Sequence, residues 1–125
     1  MENAKIVLSI DDDSLVLGVI KRMLTPKYDV RVVSAASEAM SYLNTDKADV
    51  ILLDIEMPNI SGFDFLYDIK KIPSYMSVPI IIVSGNTGHD FLEKARSSSA
   101  FDVLSKPVNK EQLVETIEKA LSARK

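Results

Sequence analysis

Apolar residues gather in five short runs along the chain, and between the runs they recur at helical spacing. The runs Lys5–Ile10, Asp29–Ser34, Asp49–Asp54, Val78–Ser84 and Phe101–Ser105 are rich in Val, Ile and Leu and predict five strands. Val50–Leu53 and Ile80–Val83 are continuously apolar, the habit of a strand covered on both faces of a parallel sheet. Ser14–Leu24 predicts a helix with Val16, Val19, Ile20, Met23 and Leu24 on one face, stopped by Pro26. Ser34 is expected to cap a second helix, running to about Asn44, with Ala36, Ala39, Met40 and Leu43 inward. After a loop bracketed by Pro58 and Gly62, a helix over Gly62–Lys71 buries Phe65, Leu66 and Ile69. Gly85 and Gly88 loosen the loop before a weaker helix, His89–Ser98. Asn109, with Gln112 three residues on, caps a last helix that buries Leu113, Val114, Ile117, Ala120 and Leu121.

Strands alternating with helices predict an α/β fold, because right-handed crossovers leave little choice but a parallel sheet covered on both faces. The expected architecture is a doubly wound five-stranded parallel sheet of order 2-1-3-4-5 with five helices, a flavodoxin-like arrangement. At 125 residues the chain reads as one domain over 1–125. A hydrophobic fraction of 46% beside a charged fraction of 26% is ordinary for a soluble globular protein. The net charge of -3 argues against direct nucleic-acid binding, which wants a basic face. Without cysteine there is no disulfide, thiolate metal site or Cys nucleophile, and His89 alone builds no His-rich site. No apolar run reaches membrane-spanning length, and the run Ile6–Ile10 is cut off by three aspartates, so neither membrane insertion nor a signal peptide is expected. The expected location is the cytoplasm.

In a parallel sheet all C-terminal strand ends lie on one edge, where open α/β sheets bind their ligands. The first strand ends at Asp11, Asp12 and Asp13, the third at Asp54, the fourth at Ser84 and the fifth at Lys106. At least three carboxylates and one ammonium are therefore expected in one pocket. Like charges that close call for a cation between them, and an all-oxygen site suits Mg²⁺ better than zinc. A lysine and a hydroxyl are what the oxygens of a phosphoryl group need as they gain charge. Taken singly, each piece has an ordinary reading: aspartates at a helix N-terminus, Asp54 as a turn former, Ser84 as a cap, Lys106 on the surface. Their joint placement at four strand ends points to a carboxylate that accepts a phosphoryl group.

The ordered set Asp11-Asp12, Asp54, Ser84 and Lys106-Pro107, with Met57-Pro58 and Gly62, resembles the receiver domain of two-component response regulators from Lys5 to about Ala123. The resemblance implies that Asp54 is the phosphoacceptor, taking its group from a histidine kinase or a histidine phosphotransfer protein. It implies Mg²⁺ (or Mn²⁺) held by Asp12, Asp54 and the backbone carbonyl of Glu56, with Asp11 acting through bound water. Ser84 would hydrogen-bond the phosphoryl group, Lys106 would pair with it, and the Lys106–Pro107 peptide is expected to be cis. The chain would control a downstream effector or attached output domain, as a monomer or a phosphorylation-dependent dimer, and would not be an enzyme acting on a separate substrate.

Val103 and Ser99 depart from the family's pattern, and the roles of Glu56, Asn86 and Leu15 are left open by it. Val103 stands where members commonly carry an aromatic switch residue, and its stiff side chain has no ring to swing. A shift of the Gly85–Gly88 loop toward the phosphoryl group is the expected substitute. Ser99 stands where many members have Gly; in a left-handed backbone it would cost about 1 kcal/mol and fray the fourth helix. Glu56 and Asn86 occupy positions that tune self-dephosphorylation, Glu56 either ordering water or repelling the phosphoryl group. Leu15 is either a docking residue beside the site or additional core. Rival functions are a phosphatase of the haloacid-dehalogenase type, a nucleotide- or flavin-binding module, and a receiver-like domain that is never phosphorylated. The first is disfavoured because Asp54-Ile55-Glu56 lacks a second Asp and the acidic pair comes first; the second because no Gly-rich phosphate loop is present.

Overall fold

Alternate residues of the buried strands face opposite sides of a single sheet. A computed structural model describes residues 4–58 and 60–124 of the chain. The strands are β1 (Ile6–Ile10), β2 (Asp29–Val33), β3 (Val50–Leu53), β4 (Ile80–Ser84) and β5 (Asp102–Ser105). All are parallel, in the order β2-β1-β3-β4-β5. The helices are α1 (Ser14–Leu24), α2 (Ala36–Thr45), α3 (Gly62–Lys71), α4 (His89–Ser97) and α5 (Lys110–Ala123). Leu8, Ile10, Ile51, Leu53, Ile80 and Ile82 pack with α2, α3 and Ala95 of α4. Val7, Val50, Leu52, Ile81, Val83 and Leu104 pack with Ile20 and Leu24 of α1 and Leu113, Ile117 and Ala120 of α5. The expected doubly wound architecture is the observed one.

The differences from expectation are local and have physical causes. Pro79 has no N–H for the ladder, so β4 begins at Ile80, although the Pro79 carbonyl still accepts from the Ile51 N–H at 3.0 Å. Ser34 is not the cap of α2; Ala35 is, without a side-chain cap bond, and Ser34 one residue earlier donates its N–H and hydroxyl to Glu38 Oε1 at 2.9 and 3.2 Å. On α1 the buried residues are Leu17, Ile20 and Leu24, whereas Val16, Val19 and Met23 are half-buried. A 3₁₀ turn at Pro73–Tyr75 was not expected. Asn109 caps α5 as expected, its side chain accepting from the Gln112 N–H at 3.0 Å. On α5, Thr116 is buried while Val114 and Leu121 are half-buried.

The end of α4 is held where the sequence predicts fraying. The Ser97 hydroxyl donates to the Glu93 and Lys94 carbonyls, and the Ser98 hydroxyl donates to Ala95 and accepts from the Ala100 N–H. Serine side chains thus satisfy groups that a helix end otherwise leaves open.

Gly62, the first residue of α3, lies against the backbone just after β3. A Cβ there would sit 2.2 Å from the Ile55 carbonyl oxygen and 2.5 Å from its Cα. Neither atom can yield without moving the chain that follows Asp54. Gly62→Ala is therefore expected to destabilise the fold by about 3 kcal/mol, at the upper end of overpacking costs. A urea midpoint indistinguishable from wild type would contradict this.

Candidate functional site

Each polar residue at the rim is set there by the last rungs of the sheet. The Asp11 N–H donates to the Val33 carbonyl at 3.2 Å, and the Asp54 N–H donates to that of Ile10 at 2.9 Å. The Lys106 N–H donates to the Ser84 carbonyl at 2.9 Å. The ladder therefore runs one residue past each apolar run and fixes the backbones that carry the polar side chains.

The three consecutive aspartates divide their work. Asp11 is buried, and its Oδ1 accepts from the Asp13 N–H at 2.9 Å. Asp12 is exposed. Asp13 is the N-cap of α1, accepting from the Leu15 N–H at 3.0 Å. Asp11, Asp12 and Asp54 each offer an oxygen within 4.8 Å of the others. That expected cluster is present, and its hard oxygen donors, with no nitrogen or sulfur, fit Mg²⁺.

Lys106 opposes the two buried carboxylates. Its Nζ lies 2.9 Å from Asp11 Oδ2 and 3.5 Å from Asp54 Oδ2. Burial works against the ammonium, but Asp11 and Asp54 outweigh it and raise the Lys106 pKa. Asp54, only 4% exposed, accepts from the Glu56 N–H at 3.0 Å through Oδ1. Burial pushes its carboxyl up to about 6, with Asp11 adding to the rise and the Glu56 N–H and Lys106 opposing it. Asp54 is thus an ionisable carboxylate in a confined acidic pocket whose crowding a cation would relieve.

Ser84, 1% exposed, donates from its hydroxyl to Glu56 Oε1 at 3.3 Å and accepts from the Asn86 N–H at 3.0 Å. The Asn86 side-chain amide donates to Glu56 Oε2 at 3.2 Å. The Glu56 side chain therefore joins the site, a contact that residue types alone did not reveal. Among the described residues, no buried side-chain nitrogen or oxygen lacks a partner. The Lys106–Pro107 peptide is cis, as is Thr25–Pro26. Val103 is half-buried against the α2–α3 side of the core. Leu15 is 79% exposed and lines an apolar groove with Val16, Val19, Pro107 and Val108, beside the Lys106 stem. His89 is exposed at the start of α4.

The sequence model of one family, described as "Response regulator receiver domain", matches residues 7–118. The chain belongs to that family. The receiver domain is 36% identical over 110 residues to the two-component response regulator ORR21 of Oryza sativa subsp. indica, covering 86% of this chain and 16% of that protein. It is 32% identical over 114 residues to the DNA-binding transcriptional regulator NtrC of Proteus hauseri, covering 90% of this chain and 24% of that protein. The receiver domain thus spans a quarter or less of the length of these relatives. A solved response regulator receiver domain protein from Clostridium thermocellum superposes with a TM-score of 0.85 at 32% identity, covering 95% of each chain. Receiver domains of two-component systems accept a phosphoryl group on an aspartate, and that is the role of the family to which this one belongs. Among the described residues, no helix is long and apolar enough to cross a membrane.

Proposed function

We propose that Asp54 is the phosphoacceptor of this receiver domain. An Asp54 carboxylate oxygen forms the bond to phosphorus as the P–N bond of a phosphohistidine breaks, and the leaving imidazole nitrogen takes the electron pair. The donor is a histidine kinase or a histidine phosphotransfer protein. Asp12, Asp54 and the Glu56 backbone carbonyl would hold Mg²⁺ (or Mn²⁺), with Asp11 acting through bound water, and the ion would supply positive charge against the carboxylates and the phosphoryl oxygens. Lys106 pairs with the phosphoryl group and Ser84 donates a hydrogen bond to it. The whole of residues 1–125 is a single cytoplasmic receiver domain that signals to an effector or attached output domain, with no separate substrate turned over and no direct contact with nucleic acid. It acts as a monomer or a phosphorylation-dependent dimer.

The observation that carries this reading is a buried carboxylate, Asp54, clustered with those of Asp11 and Asp12 and with an ammonium 3.5 Å away. Incubation with a small acyl phosphate and Mg²⁺ is expected to add one phosphoryl group to the intact mass of the chain. The reading fails if Asp54→Asn takes up as much phosphoryl as wild type.

Leu15 supports a second element of the proposal. An exposed leucine beside Pro107 and Val108 is an apolar anchor within reach of Lys106, suited to a donor protein that must bring its phosphohistidine to the rim. Leu15→Glu is expected to slow transfer from a donor protein about tenfold while leaving labelling by a small acyl phosphate within twofold. Equal slowing of both would reject the docking role.

A further inference from the structure

The Ser84 hydroxyl has one proton to donate, and in the unmodified chain that proton is directed at Glu56. The Asn86 amide is directed at the other oxygen of the same carboxylate, at 3.2 Å. A phosphoryl group on Asp54 is an anion that needs donors at the same rim. Lys106 is similarly parked, closer to Asp11 at 2.9 Å than to Asp54 at 3.5 Å. We propose that the Glu56 carboxylate is a built-in anionic latch, which holds the Ser84 and Asn86 donors in the unmodified chain and must be displaced when Asp54 is phosphorylated. The inference rests on Asp54 being the phosphoacceptor.

The latch is wired to the rest of the fold through Asn86. Its Oδ1 accepts from the Gly88 N–H at 2.8 Å, and Gly88 is the N-cap of α4. Its own N–H donates to the Ser84 hydroxyl at 3.0 Å. When Glu56 releases Ser84 and Asn86, the loop that leaves β4 after Ser84 and carries Asn86 is freed at the start of α4. With Val103 in place of a mobile ring, this loop is the element left to carry the change outward. Glu56 is thus a positioning residue, acting through Ser84 and Asn86.

Simple charge repulsion between Glu56 and an incoming anion would also weaken phosphoryl binding, so the test must separate the two. Glu56 is exposed, and its replacement by alanine keeps the backbone carbonyl proposed for Mg²⁺. Affinity for beryllium trifluoride, a phosphoryl mimic, is measured at fixed Mg²⁺ for wild type, Glu56→Ala, Ser84→Ala and the double variant. The latch predicts about tenfold tighter binding for Glu56→Ala, shrinking to threefold or less when Ser84 is already alanine, because coupled residues are not additive. It also predicts that Glu56→Ala alone moves the amide resonances of Asn86 and Gly88 toward their positions in the beryllium trifluoride complex. A gain undiminished by Ser84→Ala, a Glu56→Ala affinity within twofold of wild type, or unmoved resonances would overturn the latch while leaving the phosphoacceptor reading intact. A wild-type chain that binds no beryllium trifluoride would overturn that reading, and the latch with it.

Discussion

Replacing Asp54 by asparagine is expected to abolish phosphoryl uptake and also to make the metal-free chain more stable at neutral pH. Chemically, an amide cannot form the acyl phosphate. The stability gain follows from burial, which lifts the Asp54 carboxyl from 3.8 to about 6. A group held above its ordinary value stabilises the fold when protonated, and that contribution is lost as the pH rises through the folded value. Keeping Asp54 ionised without a bound metal therefore costs up to ~3 kcal/mol. Asparagine removes this cost but also removes a partner of Lys106, so the expected net gain is about 1–2 kcal/mol. The gain should be complete above about pH 6 and vanish as the pH falls to about 4. Urea denaturation in chelator across that range measures it. A destabilised variant, or a difference that ignores pH, would contradict the description of the pocket.

Lys106→Ala is expected to act in the opposite direction and more strongly. It leaves Asp11 and Asp54, 2% and 4% exposed, without the ammonium that opposes both. Removing one partner of a buried ion pair typically costs 3–5 kcal/mol, and the 23% exposure of the Lys106 side chain lets water take up part of the loss. The expected destabilisation of the metal-free chain at pH 7.5 is about 2–3 kcal/mol. Mg²⁺ should restore much of it, because a cation among the same oxygens replaces the missing positive charge and binds only the folded chain. Asp54→Asn in the Lys106→Ala background should likewise recover stability, since it removes one of the two stranded charges. Unfolding curves with and without Mg²⁺ test both statements; equal stability of wild type and Lys106→Ala in chelator would contradict them.

Much of the fold was written in the apolar pattern. The bounds of α1 and α3 coincide with expectation because each helix is framed by unambiguous neighbours: aspartates and Pro26 around α1, the Pro58–Gly62 loop before α3. The core of β4 was legible because Ile80, Ile81 and Ile82 admit no amphipathic reading. Leu17 was missed because α1 packs across two strands, and its buried face is turned slightly from the one that simple spacing selects. The cap of α2 was misplaced because the sequence shows a serine but not that the helix begins one residue further on, with Ser34 donating to Glu38 instead.

At the site, parallel topology brings Asp11, Asp54, Ser84 and Lys106 together once the strands are found, whatever their separation along the chain. What residue types could not supply was the division among the three aspartates, or the preference of Lys106 for Asp11. Asp11 continues the sheet ladder, Asp13 caps α1 and Asp12 is left exposed between them, a division set by where β1 ends and α1 begins. The grip of Glu56 on Ser84 was equally hidden, since it joins a loop residue to the end of β4, 28 residues away, through side chains alone.

The function of the rim depends on which atom receives the phosphoryl group. Labelling the chain with an acyl phosphate and Mg²⁺, reducing the acyl phosphate with borohydride and locating the resulting homoserine by peptide mass answers this directly. The prediction is a single modified position, Asp54, lost when Mg²⁺ is chelated. Homoserine at Asp11 or Asp12, 2-amino-5-hydroxyvaleric acid at Glu56, or a label that survives reduction because it lies on His89 or a serine, would contradict it.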